Sequence, residues 1–223
     1  MQFCTKEEQV ADFLREGIIA GRFARGVRLK QQEIATMLQT SITPVREALK
    51  LLEAEGYVTS DNYRGATVAP FNIEASREVL ELRILLETKL VRGAVEKATA
   101  ADIAELKVLA DEFATAFDAG DNEAARAANY RFHHRMFAIA RMPQTLHFVQ
   151  ILWARYPFDL INGLEGRVSR AADEHEEMLG AIIAGDGAAA MLATRVHIEA
   201  GWSELRHEMA ASQAASPPLA ASR

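Results

Sequence analysis

The sequence is short of the features that mark secreted, membrane-spanning and disordered proteins. Its one cysteine, Cys4, has no partner for an internal disulfide. It has only six prolines, and no apolar run approaches the roughly 18 to 20 residues that span a bilayer. The N-terminus, MQFCTKEEQV, carries acids where a signal peptide has a basic stretch followed by an apolar one. These absences predict a cytoplasmic protein with no membrane partner.

What is present is typical of a helical globular protein. The 223 residues are 49% hydrophobic and 25% charged, which is enough for two ordinary domains. A net charge of -6 argues, taken alone, against a nucleic-acid partner. The excess negative charge lies entirely after residue 70, because nine Lys/Arg balance nine Asp/Glu within residues 1–70. The chain therefore divides into a neutral N-terminal part and an acidic C-terminal part.

The first 70 residues predict three helices followed by a hairpin. Apolar residues at helical spacing indicate a first helix within residues 7–20 and a second over about 31–38. Thr43 as N-cap, with Pro44 at the first helical position, predicts a third helix that ends at Gly56. The β-prone runs 57–59 and 66–68 flank a turn-rich connection. This order is that of a winged helix-turn-helix domain, which we place at residues 1–70.

The start of the third helix carries the residue types that read DNA in the major groove. Arg46 can present a bidentate fork to guanine, and hydroxyl groups with backbone N–H groups at the helix start can bind phosphate. The hairpin tip can approach the adjacent groove. Alternatively, Arg46 and Lys50 are the solvated face of an amphipathic helix. The candidate DNA contacts are Ser41, Thr43, Arg46, Lys50, Arg64 and Gly65.

A resemblance favours the DNA-binding interpretation. The run SITPVREALKLLEAEGYVTSDNYRGATVAP, preceded by LREGIIAGRFARGVRLKQQEIATML, resembles the DNA-binding domain of the GntR family of bacterial transcription regulators. The resemblance covers about residues 6–70. It implies that Arg46 reads a guanine, that Ser41 and Thr43 bind the DNA backbone, and that Gly65 lies at the wing tip.

Two positions depart from that family's pattern. The family commonly has arginine at the position of Ile42, and some members have arginine at the position of Gln32. Loss of each cation should remove roughly one phosphate-type contact and lower the salt dependence of binding. Gln32 stays a candidate contact, and Ile42 can instead touch a thymine methyl.

The remainder of the chain is predicted to be helical almost throughout. Breaks at 119–121, 142–143, 162–166 and 185–187 divide it into six or seven helices. We expect residues 71–209 to form an all-α helical bundle that binds a ligand and dimerises. Residues 210–223, AASQAASPPLAASR, have no apolar stripe and are predicted to be a disordered tail.

Three of the six histidines have spacings that let them meet. Asn129 and His133 are four residues apart and share one helical face. His175 and His197 each lie eleven residues from Asp186, so in an antiparallel helical hairpin both stand about 16 Å from the turn. Three imidazoles and an oxygen suit a divalent ion such as Zn(II), Ni(II) or Mn(II). Alternatively, these are satisfied core or exposed histidines. The others, His134, His147 and His207, fit no such site.

The second part resembles the all-helical effector domain of the FadR-type branch of the family. The markers are ELRILLE, NYRFHHRMF, EHEEMLGAIIAGD and TRVHIEAGW. The resemblance implies a divalent metal ion at Asn129, His133, His175 and His197, with Asn129 replacing the more usual aspartate. A neutral Asn ligand leaves the ion its full charge and favours an anion beside it. The resemblance also implies that Arg83 grips the carboxylate of an effector; the alternative is a helical Arg83–Glu87 ion pair.

We therefore expect a homodimeric, ligand-responsive regulator that binds an inverted repeat in double-stranded DNA and senses a small carboxylate. One alternative is a metal-dependent enzyme acting on a small acid, although no general base or nucleophile motif is evident. Glu174, Glu176 and Glu177 flank His175, but a charge run at a helix start is usually solvated. Another alternative is a regulator whose metal is structural or absent.

Overall fold

The structure is a computed structural model that describes residues 5–61, 65–71, 76–161, 164 and 166–215. Its N-terminal domain, which we call the reading head, contains three helices: α1 (Lys6–Ile19), α2 (Gln31–Met37) and α3 (Ile42–Glu55). Thr5 and Glu8 form a capping box that starts α1. Leu14, Val45 and Leu52 are fully buried where α1 packs on α3. The predicted three-helix arrangement is confirmed.

Helix α3 begins earlier than predicted. Its N-cap is Ser41 rather than Thr43, and Ser41 makes no side-chain capping bond. Pro44 consequently occupies the third helical position, where its missing N–H would have had no intrahelical partner. The predicted end is confirmed, because Gly56 terminates the helix at φ +91°, in the left-handed region that favours glycine.

The wing is a two-stranded antiparallel hairpin. Strand β1 (Val58–Asp61) pairs with β2 (Gly65–Val68), with Val58 opposite Val68 and Asp61 opposite Gly65. A single bridge between Arg28 and Thr67 ties the segment before α2 to the same hairpin. The predicted winged helix-turn-helix order is therefore confirmed within the described residues.

The second domain, which we call the bundle, is all helical in its described residues. It contains α4 (Ser76–Lys97), α5 (Ala100–Asp118), α6 (Asn122–Ile139), α7 (Pro143–Ala154), α8 (Phe158–Ile161), α9 (Arg167–Ala184) and α10 (Gly187–Ala215). Helix α4 packs against α6, α7 and α10, while α5 covers α6 and α9. No helix among these residues is both long and apolar enough to cross a membrane.

Helices α9 and α10 form the antiparallel hairpin that the histidine spacing requires. Asp186 accepts a hydrogen bond from the backbone N–H of Ala189 and caps the start of α10. At its other end α10 runs to Ala215, so the disordered tail predicted from residue 210 is wrong for residues 210–215. The segment is rich in alanine, which has the highest helix propensity and needs no apolar stripe to extend an existing helix. Residues 216–223 lie outside the described residues.

One hydrophobic core continues from the reading head into the bundle. It includes Leu14 and Tyr57 on one side and Tyr130, Phe137 and Trp153 on the other. Side chains of each domain also donate hydrogen bonds to backbone carbonyls of the other domain. These contacts are Arg126 Nε to Ala20 O (2.6 Å), Tyr57 Oη to Gln150 O (2.9 Å) and Arg25 Nη2 to Tyr156 O (3.0 Å). Two ion pairs among the described residues cross the boundary as well, Arg22 Nε to Glu123 Oε1 (2.7 Å) and Arg131 Nη1 to Glu16 Oε1 (2.9 Å).

Candidate functional site

The bundle brings His133 of α6, His175 of α9 and His197 of α10 together. One ligand nitrogen from each lies within 4.8 Å of the others. The Nε2 atoms of His133 and His175 are 3.1 Å apart. Two nitrogens bound to one ion at about 2.0–2.1 Å in tetrahedral geometry would lie about 3.4 Å apart. The three imidazoles, which we call the histidine centre, are therefore close to the spacing that a first-row metal ion requires.

Asn129 stands one helical turn before His133 and is buried beside the same centre. Its Oδ1 atom has no hydrogen-bond partner among the described residues, and neither do Nδ1 of His133 and Nδ1 of His175. A buried polar atom without a partner costs roughly 1–3 kcal/mol. An amide oxygen and neutral imidazole nitrogens are suitable ligands for a divalent cation, so this donor set fits the predicted metal.

Burial keeps the histidine centre neutral. It lowers the pKa of His133 and of His175 well below the usual histidine value, and the charges of neighbouring groups lower both further. Burial also lowers the pKa of His197, although its hydrogen bond to Glu174 opposes the shift. A metal ligand must offer an unprotonated nitrogen. All three imidazoles are therefore in the state that can bind a cation.

Glu174 and Arg167 support His197 from behind. Oε2 of Glu174 lies 2.6 Å from Nδ1 of His197, and Arg167 contacts the two carboxylate oxygens of Glu174 at 2.8 and 2.7 Å. Burial would raise the pKa of the Glu174 carboxyl, but hydrogen bonds from His197 and Arg167 outweigh it and lower the pKa to about 2. Glu174 is therefore ionised and accepts hydrogen bonds only.

Arg83 lies beside the centre in a buried ion pair. Its Nε is 2.7 Å from Oε1 of Glu87, and its guanidinium stacks 4.0 Å from the centroid of Tyr156. Nε1 of Trp153 also donates to Glu87 Oε1, at 2.8 Å. Arg83 and Glu87 are 3% and 1% exposed. The helical ion pair left open by the sequence is therefore present, and its deep burial distinguishes it from an ordinary solvated pair.

A small cavity connects Arg83 with the histidine centre. Its volume is about 30 Å³, which is room for about one water molecule. Any larger ligand must move the walls. The lining residues are Arg83, Asn129, Tyr156, Phe158, Ile161, Arg167, Ala171, His197, Ile198 and Gly201.

The other three histidines lie apart from the centre. His134 contacts the Gln150 side chain at 3.1 Å and stacks on Tyr130. His147 and His207 are exposed. The structure thus brings together the four predicted metal ligands and leaves out the three histidines that their spacing excluded.

Five of the predicted DNA contacts lie on the exposed surface of the reading head. Gln32, Ser41 and Thr43 are exposed, as is Ile42. The side chains of Arg46 and Lys50 are 55% and 64% exposed, and Glu47 lies between them, 3.7 Å from Arg46 and 3.1 Å from Lys50. The cationic end of this helix is therefore available to DNA, with one carboxylate partly neutralising it.

The wing places Gly65 at the start of β2 with φ +71°, where a side chain would strain the backbone. Arg64 lies outside the described residues. A cation that sequence reasoning missed stands close by: a Cβ at Gly65 would be 3.5 Å from Arg28 Nη2. Arg28 is exposed, and the backbone pairing of its segment with β2, across 39 positions of the chain from Thr67, brings it to the hairpin.

A winged helix-turn-helix domain joined in one chain to a helical bundle with a buried histidine centre is the architecture of a transcription regulator. The chain belongs to the GntR family: residues 6–68 match the gntR family of bacterial regulatory proteins, and residues 78–200 match the FCD domain. The FCD domain agrees with the FadR-type branch. The family and the relatives below are transcription regulators and not enzymes.

Two relatives and one solved structure extend the similarity over most of the chain. The chain is similar to the HTH-type transcriptional regulator McbR of Escherichia coli K12, with 31% identity covering 71% of this chain and 75% of the relative. The galactonate operon transcriptional repressor of the same organism is 26% identical, covering 90% and 97%. The solved structure of E. coli McbR/YncC matches with a TM-score of 0.77 and 26% identity, covering 92% and 99%.

Proposed function

We propose that this GntR-family regulator is a homodimer that binds an inverted repeat in double-stranded DNA and responds to a small carboxylate at a metal-containing pocket. The observation that carries the proposal is the convergence of His133, His175 and His197 with the unpartnered oxygen of Asn129, beside a cavity that Arg83 also lines. We propose likewise that it acts in the cytoplasm.

In the reading head, Arg46 reads a guanine edge while Ser41, Thr43 and Lys50 contact the backbone. Gln32 adds a polar contact, Gly65 lets the wing approach DNA closely, and Arg64 adds a cationic contact. Support comes from the exposure of Arg46, in the N-terminal half of α3, and of Lys50 one turn further along the helix. A two-fold dimer presents two such helices, which matches an inverted repeat.

In the bundle, Asn129, His133, His175 and His197 would hold a divalent ion such as Zn(II), Ni(II) or Mn(II). When bound, such an ion supplies positive charge that attracts an anionic ligand. Arg83, which also lines the cavity, orients the carboxylate. Because Arg83 already contacts Glu87, the effector must share or replace an existing contact, which moves the side chains around it.

Tyr156 offers a route from this pocket to the reading head. Its ring stacks on Arg83 and lines the cavity, while its backbone carbonyl accepts a hydrogen bond from Arg25 of the head. An effector that displaces the ring therefore acts on a residue that holds the head. Allosteric coupling typically needs only 1–3 kcal/mol between the two sites.

The test is gel retardation of DNA from upstream of the protein's own gene at low salt. We expect retardation by the native protein, altered retardation after removal of metal with a chelator, and a further change with galactonate. Galactonate is tested because the chain is similar to the galactonate operon transcriptional repressor. The Arg46→Ala variant should lose sequence-specific retardation. Native protein that retards no such DNA under any condition would refute the regulator proposal, and retardation unaffected by chelator would refute a metal-dependent response.

A further inference from the structure

Glu174 differs from the two other glutamates that flank His175. Glu176 and Glu177 are exposed, but the side chain of Glu174 is 15% exposed and turns towards α10. There it meets Nδ1 of His197 at 2.6 Å. Glu176 and Glu177 are therefore solvated, as expected for this charge run, but Glu174 is not.

The hydrogen bond fixes the tautomer of His197. Both oxygens of the Glu174 carboxylate already accept from the Arg167 guanidinium, so the carboxylate acts as an acceptor towards His197 too, and Nδ1 of His197 carries the proton. Arg167 Nη2 also approaches Nδ1, at 3.3 Å, but two donors cannot bond each other, and the shorter contact to Glu174 decides the assignment. The remaining nitrogen of His197, Nε2, is then left with its lone pair.

Arg167 in turn fixes Glu174. It is 3% exposed, binds both carboxylate oxygens of Glu174, and reaches the backbone carbonyl of His197 at 3.3 Å. The three residues form a chain from the start of α9 to α10. Each side chain has its rotamer held by the next, so the imidazole of His197 has little freedom to rotate.

We propose that Glu174, clamped by Arg167, is a positioning residue that orients His197 as a metal ligand. The inference rests on the metal site of the proposed function and adds a residue pair to it. Carboxylates that accept a hydrogen bond from a metal-bound histidine raise its basicity and hold its ring, and their removal typically weakens metal binding 10- to 100-fold.

The test measures Zn(II) affinity of the full-length, untagged protein by competition with a chromophoric chelator. We expect Glu174→Ala to bind Zn(II) about 10- to 100-fold more weakly than wild type. Glu174→Gln should recover part of the loss, because its amide oxygen still accepts from Nδ1 without the charge. Glu177→Ala, on the same helix and exposed, is the matched control and should bind like wild type. Circular dichroism and the melting temperature establish that each variant is folded.

A second measurement does not require metal. In protein stripped of metal and labelled with ¹⁵N-histidine, the His197 signals, identified by their loss in His197→Ala, should show a proton on Nδ1 and none on Nε2. This preference should weaken in Glu174→Ala and persist in Glu177→Ala. It separates orientation of the ring from a general effect on stability.

The possible failures are distinguishable. Wild type that takes up no Zn(II) would refute the metal site and this inference together. Equal Zn(II) affinity in wild type and folded Glu174→Ala would refute the inference alone, as would a His197 signal protonated on Nε2 in the wild type.

Discussion

The reading head and the bundle use arginine in opposite ways. Arg46 in the head is 55% exposed and lies 3.7 Å from its nearest carboxylate, whereas the side chains of Arg83 and Arg167 in the bundle are 4% and 3% exposed and are bound closely by Glu87 and Glu174. An exposed cation retains its hydration and can exchange water for a DNA phosphate or base. A buried cation needs its carboxylate, since an unpaired charge in a protein interior is strongly destabilising.

The largest effect should come from breaking a buried pair in the bundle. Glu87→Ala leaves the Arg83 guanidinium without its carboxylate and removes the acceptor of Trp153 Nε1. We expect the free energy of unfolding to fall by about 3–5 kcal/mol, measured by urea denaturation. Glu81→Ala on the same helix removes the exposed partner of Arg77 and should cost less than about 1 kcal/mol. Equal losses in the two variants would contradict the comparison.

Acid should destabilise the metal-free bundle through its histidines. Their pKa values are lowered in the folded state, mainly by burial, so the unfolded chain binds protons first as the pH falls below about 6.5. Stability is therefore retained above that pH and lost below it, by up to about 1.4 kcal/mol per pH unit for each histidine that stays neutral. Urea denaturation between pH 7.5 and 5.5 should show a shallower decline in His175→Gln. The exposed His207→Gln should follow the wild type.

An exposed cation of the head should matter for DNA and not for folding. Arg46→Ala should weaken binding to the cognate operator by about 1–3 kcal/mol, because a bidentate guanine contact is lost. The melting temperature should stay close to that of the wild type. Arg92→Ala, which removes an exposed arginine from the bundle, is the control and should bind DNA normally. Equal weakening by both variants would indicate a general charge effect instead.

The smallest change should come from the carboxylate that lies between the two cations of α3. Glu47→Gln removes a negative charge 3.1 Å from Lys50 and 3.7 Å from Arg46. We expect affinity for DNA to rise by about 0.2–1 kcal/mol, as for other exposed pairs, with the largest gain at low salt. Fluorescence anisotropy at two salt concentrations would measure it. A decrease in affinity would instead indicate that Glu47 itself contacts the DNA.

The parts of the fold set by local chemistry could be predicted from the sequence. Gly56 ends α3 and Pro143 begins α7 because each residue has a conformation that suits its position. The equal spacing of His175 and His197 from Asp186 indicated their meeting, because the geometry of a helical hairpin is regular. The start of α3 was misplaced by two residues, since proline is tolerated throughout a first helical turn.

The supporting residues of the site could not be predicted, because they depend on contacts between distant helices. Glu174 resembles its exposed neighbours in sequence, and only the packing of α9 on α10 brings it to His197. Arg167 and Tyr156 had no motif that marked them. Arg28 likewise becomes a neighbour of the wing only through the strand bridge to Thr67.

The continuous core has a consequence for how this protein can be divided and recombined. Tyr57 of the head packs in the same core as Tyr130 and Trp153 of the bundle, so the boundary between the two domains is a folded interior. A head expressed alone would expose this apolar surface, and a chimera that joins it to another FCD domain would need matching side chains on that surface. The head is therefore a fitted part of this particular molecule, and its exchange among relatives is limited by packing as well as by the operator that it reads.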